Sequence, residues 1–155
     1  MEVCKKIMLT ATGGGHFEQL KKLDSLRSNY NIVYVVAKTR VNKRLNNVKF
    51  VYDYENQTFL KKYLMFIIIF WQSLFLLMEE KPDVVISTGA ASTFWLCYLQ
   101  KKLFKKKVIY IESFAKQTST SKTGRLVYKF ADYFIVQWDS MLEFYPDAIM
   151  GGSIY

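Results

Sequence analysis

Residues 6–29 read KIMLTATGGGHFEQLKKLDSLRSN, and their pattern indicates the fold. The first part, residues 6–12, is a short apolar run typical of a buried strand. Three glycines follow at Gly13, Gly14 and Gly15, and after them phenylalanine and leucine recur at helical spacing. The stretch therefore predicts a strand, a glycine turn and a helix.

The alternation of strand and helix continues along the rest of the chain. Further strands are predicted at residues 31–37, 48–54, 84–88, 108–111 and 133–136, and further helices at residues 58–80, 91–103 and 124–131. Such alternation implies parallel β-α-β units, so we expect an α/β fold with a doubly wound, mostly parallel, Rossmann-like sheet. Since no repeat, low-complexity tract or linker interrupts the sequence, residues 1–155 are expected to form one domain.

The carboxyl ends of the predicted strands are where a ligand is expected, because open parallel sheets bind ligands beyond that edge. The segments at this edge are residues 13–16, 38–40, 87–90, 112–116 and 137–138. We therefore expect the functional residues to come from these segments.

The glycine turn is the first of these segments. Glycine allows positive φ angles and close approach of a ligand to backbone N–H groups, and the start of a helix favours a diphosphate or a developing negative charge. The alternative is a tight turn that binds nothing. The dinucleotide fingerprint is not matched, because its third glycine would fall on Glu18, but the run Lys38-Thr39-Arg40 leaves an NADP site as a minor alternative.

His16 is the only histidine, which excludes a metal site built from several histidines, and no metal is expected. At the ligand edge its imidazole could deprotonate a sugar hydroxyl near neutral pH, or it could be a structural hydrogen-bonding residue. Cys4 and Cys97 lie far apart and match no metal or redox spacing. With no cleavable leader recognised at the start, reduced thiols and a cytoplasmic compartment are expected.

The formal net charge of +9 predicts anionic partners: nucleic acid, an acidic bilayer surface or phosphorylated metabolites. Aromatic residues make up 17% of the chain, more than a small core requires, so some rings are expected at an interface with lipid or protein. The charges are scattered and the aromatic residues lie in apolar runs. This pattern ranks a nucleic-acid binder last.

Residues 63–78, YLMFIIIFWQSLFLLM, contain no charged side chain. As a helix they would extend about 24 Å, less than the roughly 30 Å hydrocarbon core of a bilayer. We expect this helix to insert into one leaflet, with Lys61 and Lys62 on anionic headgroups, although a wholly internal helix is an alternative. The residues predicted to contact lipid are Phe66, Ile67, Phe70, Trp71 and Phe75.

A second basic segment lies later in the chain. The lysines at positions 101, 102, 105, 106 and 107 form a cluster that could be a second lipid-facing patch or a solvated loop.

Several sequence blocks together resemble one family. They are KPDVVISTG (81–89), VIYIESFA (108–115), STSKTG (119–124), FAD (130–132) and IVQW (135–138), together with GGH (14–16), YP (145–146) and GG (151–152). The chain resembles the membrane-anchoring subunit of the two-part UDP-GlcNAc transferase of asparagine-linked glycosylation. It is also similar to the PssD/CpsF/EpsE-type proteins of capsule and exopolysaccharide synthesis. The YIESFA and VQW blocks are the most specific part of this likeness.

The resemblance implies the N-terminal half of a GT-B glycosyltransferase related to MurG. It implies that a separate chain, resembling the C-terminal half of MurG, binds the UDP-sugar, so no cofactor is expected on this chain. This chain would recruit that partner and bind a polyprenyl-diphosphate-linked acceptor. The eukaryotic form has a transmembrane helix ahead of the first strand; none is recognised here, which favours a bacterial-type protein anchored by residues 63–78.

The resemblance also implies roles for individual residues. His16 matches the histidine after the glycine turn of MurG-like enzymes, and Glu112 lies in the ES block, where it could orient His16, hold an acceptor hydroxyl or cap backbone N–H groups. These two are the predicted catalytic residues. The predicted acceptor and phosphate contacts are Gly13, Gly14, Gly15, Ser113, Ser121 and Thr123, although Ser121 and its neighbours could simply cap the following helix. The predicted partner interface comprises Trp138, Ser153, Ile154 and Tyr155.

The expected function is therefore the acceptor-side subunit of an inverting UDP-sugar glycosyltransferase in capsule or exopolysaccharide synthesis, inactive alone. The expected location is the cytoplasmic face of the cell membrane. The main alternative is a non-catalytic scaffold that only anchors the partner.

Overall fold

The computed structural model describes residues 5–38, 48–53 and 59–154. Its strands are β1 Lys6–Ala11, β2 Asn31–Ala37, β3 Val48–Val51, β4 Val84–Ser87, β5 Lys107–Ile111, β6 Tyr133–Val136 and β7 Ile149–Met150. Its helices are α1 Gly15–Lys21, α2 Phe59–Glu80, α3 Phe94–Lys102 and α4 Lys122–Val127, and short 3₁₀ segments cover Lys22–Ser28, Ala91–Thr93 and Asp139–Glu143. The predicted order of elements is confirmed.

All seven strands form one parallel sheet in the order β3-β2-β1-β4-β5-β6-β7. The chain moves outward from β1 to β3, then returns to place β4 on the other side of β1. Between β1 and β4 the winding therefore changes direction, and this is the position at which doubly wound sheets open a crevice for ligands. The expected α/β, Rossmann-like fold is confirmed.

Helices cover both faces of the sheet. On one face, Leu20 of α1 is fully buried and Phe17 packs edge-on against Tyr34 of β2. On the other face, α2, α3 and α4 cover the larger core, and α3 packs against both α2 and α4. Each face thus has its own apolar cluster, as both-sided burial of a parallel sheet requires.

Several bounds differ from the predicted ones, and one additional strand is present. β3 ends at Val51 because the next backbone N–H, that of Tyr52, donates to Gln72 Oε1 of α2 at 3.0 Å instead of continuing the sheet. α4 begins two residues earlier than predicted because Ser121 caps it, accepting from the Gly124 N–H at 2.8 Å. The two-residue strand β7 was not predicted, since alternation cannot be recognised over so short a length.

The long helix α2 lies on the sheet by a narrow face. Ile69, Ser73 and Leu77 are buried against it, and Glu80 forms an ion pair with Lys6 of β1 at 3.1 Å. Most of the helix is uncovered: only 17% of its most apolar 18-residue window is buried, and its length and composition would suffice to cross a membrane. Within the described chain α2 is therefore not a wholly internal helix.

Candidate acceptor site at the carboxyl edge of the sheet

The glycine turn places His16 at the crevice between β1 and β4. Gly14 has a φ of 77°, a left-handed conformation that favours glycine, and it directly precedes α1. His16 is the second residue of that helix. A helix of seven residues has a weak terminal dipole, so the position of the side chain matters more here than the helix end.

His16 is fixed by two hydrogen bonds to one residue of the neighbouring strand end. Its Nδ1 lies 2.7 Å from the carbonyl oxygen of Thr88, and the Thr88 hydroxyl donates to the carbonyl oxygen of His16 at 2.8 Å. A carbonyl oxygen can only accept, so the proton of the neutral ring is on Nδ1. Nε2 then carries the free lone pair, as a general base requires.

Gly89 allows this arrangement. Its φ is 107°, and a Cβ at this position would lie 3.2 Å from both His16 Cε1 and Tyr110 Oη. A larger residue would therefore be strained in its backbone and would press on the imidazole. Sequence analysis placed Gly89 at the ligand edge without assigning it this role.

Glu112 is buried at the end of β5, with 1% of its surface exposed. Its Oε1 accepts from the Ser113 N–H at 2.9 Å. Its Oε2 accepts from the Tyr145 hydroxyl at 2.9 Å and from the Ser121 hydroxyl and N–H at 3.0 and 3.4 Å. The carboxylate thus caps backbone groups and joins three segments, whereas the Thr88 carbonyl, not Glu112, orients His16.

The loop after β5 and the start of α4 close tightly around this carboxylate. A Cβ on Gly124 would lie 2.1 Å from Glu112 Oε2 and 2.9 Å from Tyr145 Oη. Burial, with the charge of Glu112 added, raises the pKa of the Tyr145 hydroxyl, so this hydroxyl stays protonated and donates. The cluster therefore acts as a rigid floor.

A cleft of about 450 Å³ opens above this floor. Its lining residues are His16, Ala90, Ala91, Tyr110, Glu112, Ser113, Lys116, Thr120, Ser121, Lys122, Thr123 and Arg125. The structure thus brings together both predicted catalytic residues and three predicted acceptor contacts. The three glycines of the turn are not among the lining residues; they position His16 instead.

Sequence analysis assigned no individual role to several lining residues of the cleft, among them Tyr110, Arg125 and Lys116, the last of which lies in the predicted edge segment 112–116. Tyr110 lies inside β5, where its position in the sequence is typical of a core residue. Burial is the main cause that raises the pKa of its hydroxyl, and the charge of Glu112 raises this pKa further. Lys116 and Arg125 flank the STSKTG block, and a cation on either side of a hydroxyl-rich loop is the signal that could have identified them.

The predicted partner residues lie at the β6 end of the same edge. The ring of Trp138 packs at a tilt against that of Phe114, with centroids 4.7 Å apart, and its Nε1 donates to the Phe114 carbonyl at 2.7 Å. The N–H of Ile154 donates to Gln137 Oε1 at 3.1 Å, whereas Ser153 is exposed. Tyr155 lies outside the described residues. The C-terminal segment is thus tied to the strand next to Glu112.

The predicted lipid contacts divide between two sides of α2. Ile67, Trp71 and Phe75 are more than half exposed. Phe66 and Phe70 are instead half-buried against Trp95 of α3, with ring centroids 4.8 and 4.9 Å from its ring. The exposed apolar side chains of α2 form one surface, hereafter the apolar face of α2. Its residues are Tyr63, Leu64, Ile67, Trp71, Phe75 and Met78.

The basic cluster after α3 is partly neutralised. Lys101 and Lys107 form ion pairs with Asp132 at 2.6 and 3.1 Å, and Lys106 forms one with Asp83 at 3.4 Å. The other two lysines of the cluster, at positions 102 and 105, are exposed. A second lipid-facing patch would therefore have less free charge than the sequence indicates.

No group of three or more metal-ligating side chains occurs within residues 5–38, 48–53 and 59–154. Cys97 is buried, and burial raises the pKa of its thiol to about 12, which makes it inert. Cys4, together with Thr39 and Arg40 of the NADP alternative, lies outside the described residues.

Comparison with known proteins adds a family to this geometry. The family model described as "Oligosaccharide biosynthesis protein Alg14 like" matches residues 53–154 of the chain. The human protein named UDP-N-acetylglucosamine transferase subunit ALG14 is 36% identical over 89 residues, which cover 54% of this chain and 41% of the human one. The protein of the same name from Schizosaccharomyces pombe is 35% identical over 85 residues, covering 52% and 38%. The chain thus spans about two fifths of the length of the curated relatives it matches.

Solved structures share the fold. MurG of Acinetobacter baumannii superposes with a TM-score of 0.67 at 16% identity, over 85% of this chain and 41% of MurG. UDP-N-acetylglucosamine 2-epimerase of Rickettsia bellii superposes with a TM-score of 0.68 at 12% identity, over 93% of this chain and 42% of the epimerase. At these identities the likeness concerns the fold alone.

Proposed function

Since the chain belongs to the Alg14-like family of oligosaccharide biosynthesis proteins, we propose that it is the acceptor-side subunit of a two-chain UDP-sugar glycosyltransferase. The related proteins are named as subunits of a UDP-N-acetylglucosamine transferase, so UDP-GlcNAc is the first donor to test. The partner would be a donor-binding chain resembling the C-terminal half of MurG. The acceptor would be a polyprenyl-diphosphate-linked saccharide of capsule or exopolysaccharide synthesis.

The observation that carries the proposal is the hydrogen bond between His16 Nδ1 and the Thr88 carbonyl. It fixes the neutral tautomer and leaves Nε2 for a ligand in a cleft that also contains Ser113, Ser121 and Thr123. Hydroxyl groups beside a base are suited to a saccharide.

In the proposed reaction, Nε2 of His16 accepts the proton of an acceptor hydroxyl. The hydroxyl oxygen forms a bond to the anomeric carbon of the sugar, and the bond from that carbon to the phosphate oxygen of UDP breaks on the opposite side. The anomeric configuration is inverted, and UDP is the leaving group, held by the partner chain. The residues of this chain bind, orient and deprotonate the acceptor.

The apolar face of α2 supports a membrane location for this reaction. Trp71 is 52% exposed and Phe75 62% exposed, on a helix that presents no charge between Lys62 and Glu79. An exposed apolar strip of this length is costly in water and favourable at the boundary of headgroups and acyl chains. We place it on the cytoplasmic leaflet, where a polyprenyl-linked acceptor would be within reach of the cleft.

A scaffold that only anchors the partner is the second candidate, and Glu112 favours it. This predicted catalytic carboxylate is buried and already accepts hydrogen bonds from Ser113, Ser121 and Tyr145. If His16 were likewise only structural, the chain would take no part in the chemistry.

The variant His16→Gln separates the two candidates. In membranes of cells that carry the variant as their only copy, we expect sugar transfer from UDP-GlcNAc to endogenous lipid-linked acceptor to fall by about 100-fold or more, because general base catalysis contributes about 10²–10⁴-fold. The amount of variant in the membrane, and of the donor-binding chain recovered with it, should stay at the wild-type level.

Glu18→Gln is the matched control, since Glu18 lies on the same helix but is exposed. It should transfer sugar normally. Wild-type transfer by His16→Gln, with the complex intact, would support the scaffold and refute the catalytic role.

A further inference from the structure

Three cations line the same cleft as His16. Lys116 lies in the turn after β5, where its N–H donates to the Ser113 carbonyl at 2.9 Å, and its side chain is half-buried. Lys122 and Arg125 are three residues apart on α4, hence on one side of that helix, and both are exposed. The cleft therefore receives positive charge from two separate segments.

These charges are not cancelled locally. Glu112 is the one acidic residue among the lining residues, and it is buried beneath the cleft with its oxygens occupied by Ser113, Ser121 and Tyr145. Within the part of the chain that the structure describes, no ion pair involves the three cations. An anion entering the cleft would thus meet free cations and no exposed carboxylate.

Lys122 and Arg125 also border a second hollow. This hollow measures about 390 Å³, and its other lining residues are Leu126 and Lys129. Leu126 is 50% exposed. The two cations thus border both the cleft that contains His16 and a mainly basic hollow, whose one apolar lining residue is Leu126.

Leu126, exposed beside these cations, is a point at which a hydrocarbon attached to a bound anion could leave the cleft. α4 packs against α3, and α3 packs against α2, so Leu126 belongs to a helix on the sheet face that also carries α2. A hydrocarbon chain that leaves the cleft over Leu126 would extend toward the apolar face of α2, which is proposed to contact the membrane.

We propose that Lys116, Lys122 and Arg125 bind the diphosphate linker of the acceptor, which places the saccharide beside His16 and the lipid chain over Leu126. The inference rests on the proposed function. A diphosphate diester has two charges, which a single cation cannot match, and the guanidinium of Arg125 can hold two phosphate oxygens at once. The site should therefore prefer a diphosphate to a monophosphate.

Binding of farnesyl diphosphate to the whole chain in neutral detergent micelles tests the proposal, measured by isothermal titration calorimetry at low salt. Each of the variants Lys116→Gln, Lys122→Gln and Arg125→Gln should weaken binding by about tenfold or more, as expected for the loss of one charge-assisted hydrogen bond. Farnesyl monophosphate and farnesol should bind the wild-type chain more weakly. Lys102→Gln, which removes an exposed lysine outside the cleft, should bind farnesyl diphosphate like wild type.

A second measurement on the wild-type chain does not depend on the folding of any variant. Farnesyl diphosphate should protect Lys116 and Lys122, but not Lys102, from acetylation, and inorganic pyrophosphate should compete with it. Equal protection of all three lysines, unchanged affinity of the three variants, or equally tight binding of farnesol would each overturn the assignment.

Failure of the proposed diphosphate site can be distinguished from failure of the proposed function. Sugar transfer is measured with this chain and the donor-binding chain mixed. If this two-chain mixture transfers sugar but the three variants keep the wild-type KM for the acceptor, the diphosphate lies elsewhere and the proposed function stands. If these residues bind farnesyl diphosphate as expected but no mixture transfers sugar, the assignment of the anion site stands and the proposed function fails.

Discussion

Glu112 accepts hydrogen bonds from residues in three different parts of the chain, and this sets its role at the scale of a single residue. Ser113 follows it directly, Ser121 begins α4, and Tyr145 follows the last 3₁₀ segment. Its own carbonyl accepts from Gln137 Nε2 at 2.9 Å. All the hydrogen-bonding partners of the carboxylate donate, so an ionised carboxylate fits this position far better than a neutral amide.

The variant Glu112→Gln should therefore destabilise the fold. Its amide nitrogen would face the hydroxyl or N–H donors of Ser121 and Tyr145, and we expect a loss of about 2 kcal/mol in the free energy of unfolding, typical of hydrogen bonds to a charged group. Urea denaturation at neutral pH measures this. Glu143→Gln, at an exposed carboxylate, should leave the free energy unchanged. Wild-type stability of Glu112→Gln together with lost sugar transfer would show a catalytic role instead.

At this scale, sequence reasoning located the right edge but not every role. Glu112 directly follows a predicted strand and His16 follows the glycine turn after another, and parallel strands bring such positions together. The contact of His16 with the Thr88 carbonyl joins residues far apart in the chain through a backbone atom, which no side-chain pattern reveals. Lys116 and Arg125 resembled ordinary surface cations until the folded loop placed them on one cleft.

At the scale of an element, α2 combines a narrow buried face with a broad exposed one. Ser73 is fully buried on the sheet side, whereas Trp71, two residues earlier, is 52% exposed. The sequence predicted the helix and its ends closely, because a long uncharged run after two lysines permits little else. Two of the five residues predicted to contact lipid, Phe66 and Phe70, pack against Trp95 instead, since a helix that is apolar all round has no polar side to orient it.

The double variant Ile67→Glu with Trp71→Glu tests the membrane role of the apolar face of α2. We expect its binding to vesicles containing anionic lipid to fall by about tenfold or more in a flotation assay, since burial of one large apolar side chain contributes about 1.5–3 kcal/mol. Both side chains are more than half exposed, so the fold should persist and thermal unfolding should be nearly unchanged.

The control for this experiment is the double variant Ile149→Glu with Met150→Glu, which adds the same charge to exposed positions on β7. It should float with vesicles like wild type. If the α2 variant also floats like wild type, another surface holds the protein at the membrane.

At the scale of the whole molecule, one parallel sheet with two covered faces matches part of a larger enzyme architecture. The structural neighbours are about twice as long as the region they share with this chain. The alternating pattern and the right-handed crossover rule predicted a doubly wound parallel sheet, whereas the order β3-β2-β1-β4 came from the structure. The proposal of a second chain rests on the resemblance and the family, because nothing in the packing of a single sheet specifies what binds at its open edge.

Sugar transfer from UDP-GlcNAc to a polyprenyl-diphosphate-linked acceptor in vesicles is the most direct test of a divided enzyme. The assay compares three samples: this chain by itself, the donor-binding chain by itself, and a mixture of the two. The donor-binding chain is the one recovered together with this chain from membranes. We predict transfer by the mixture only. Transfer by this chain alone, at the rate of the mixture, would contradict the account.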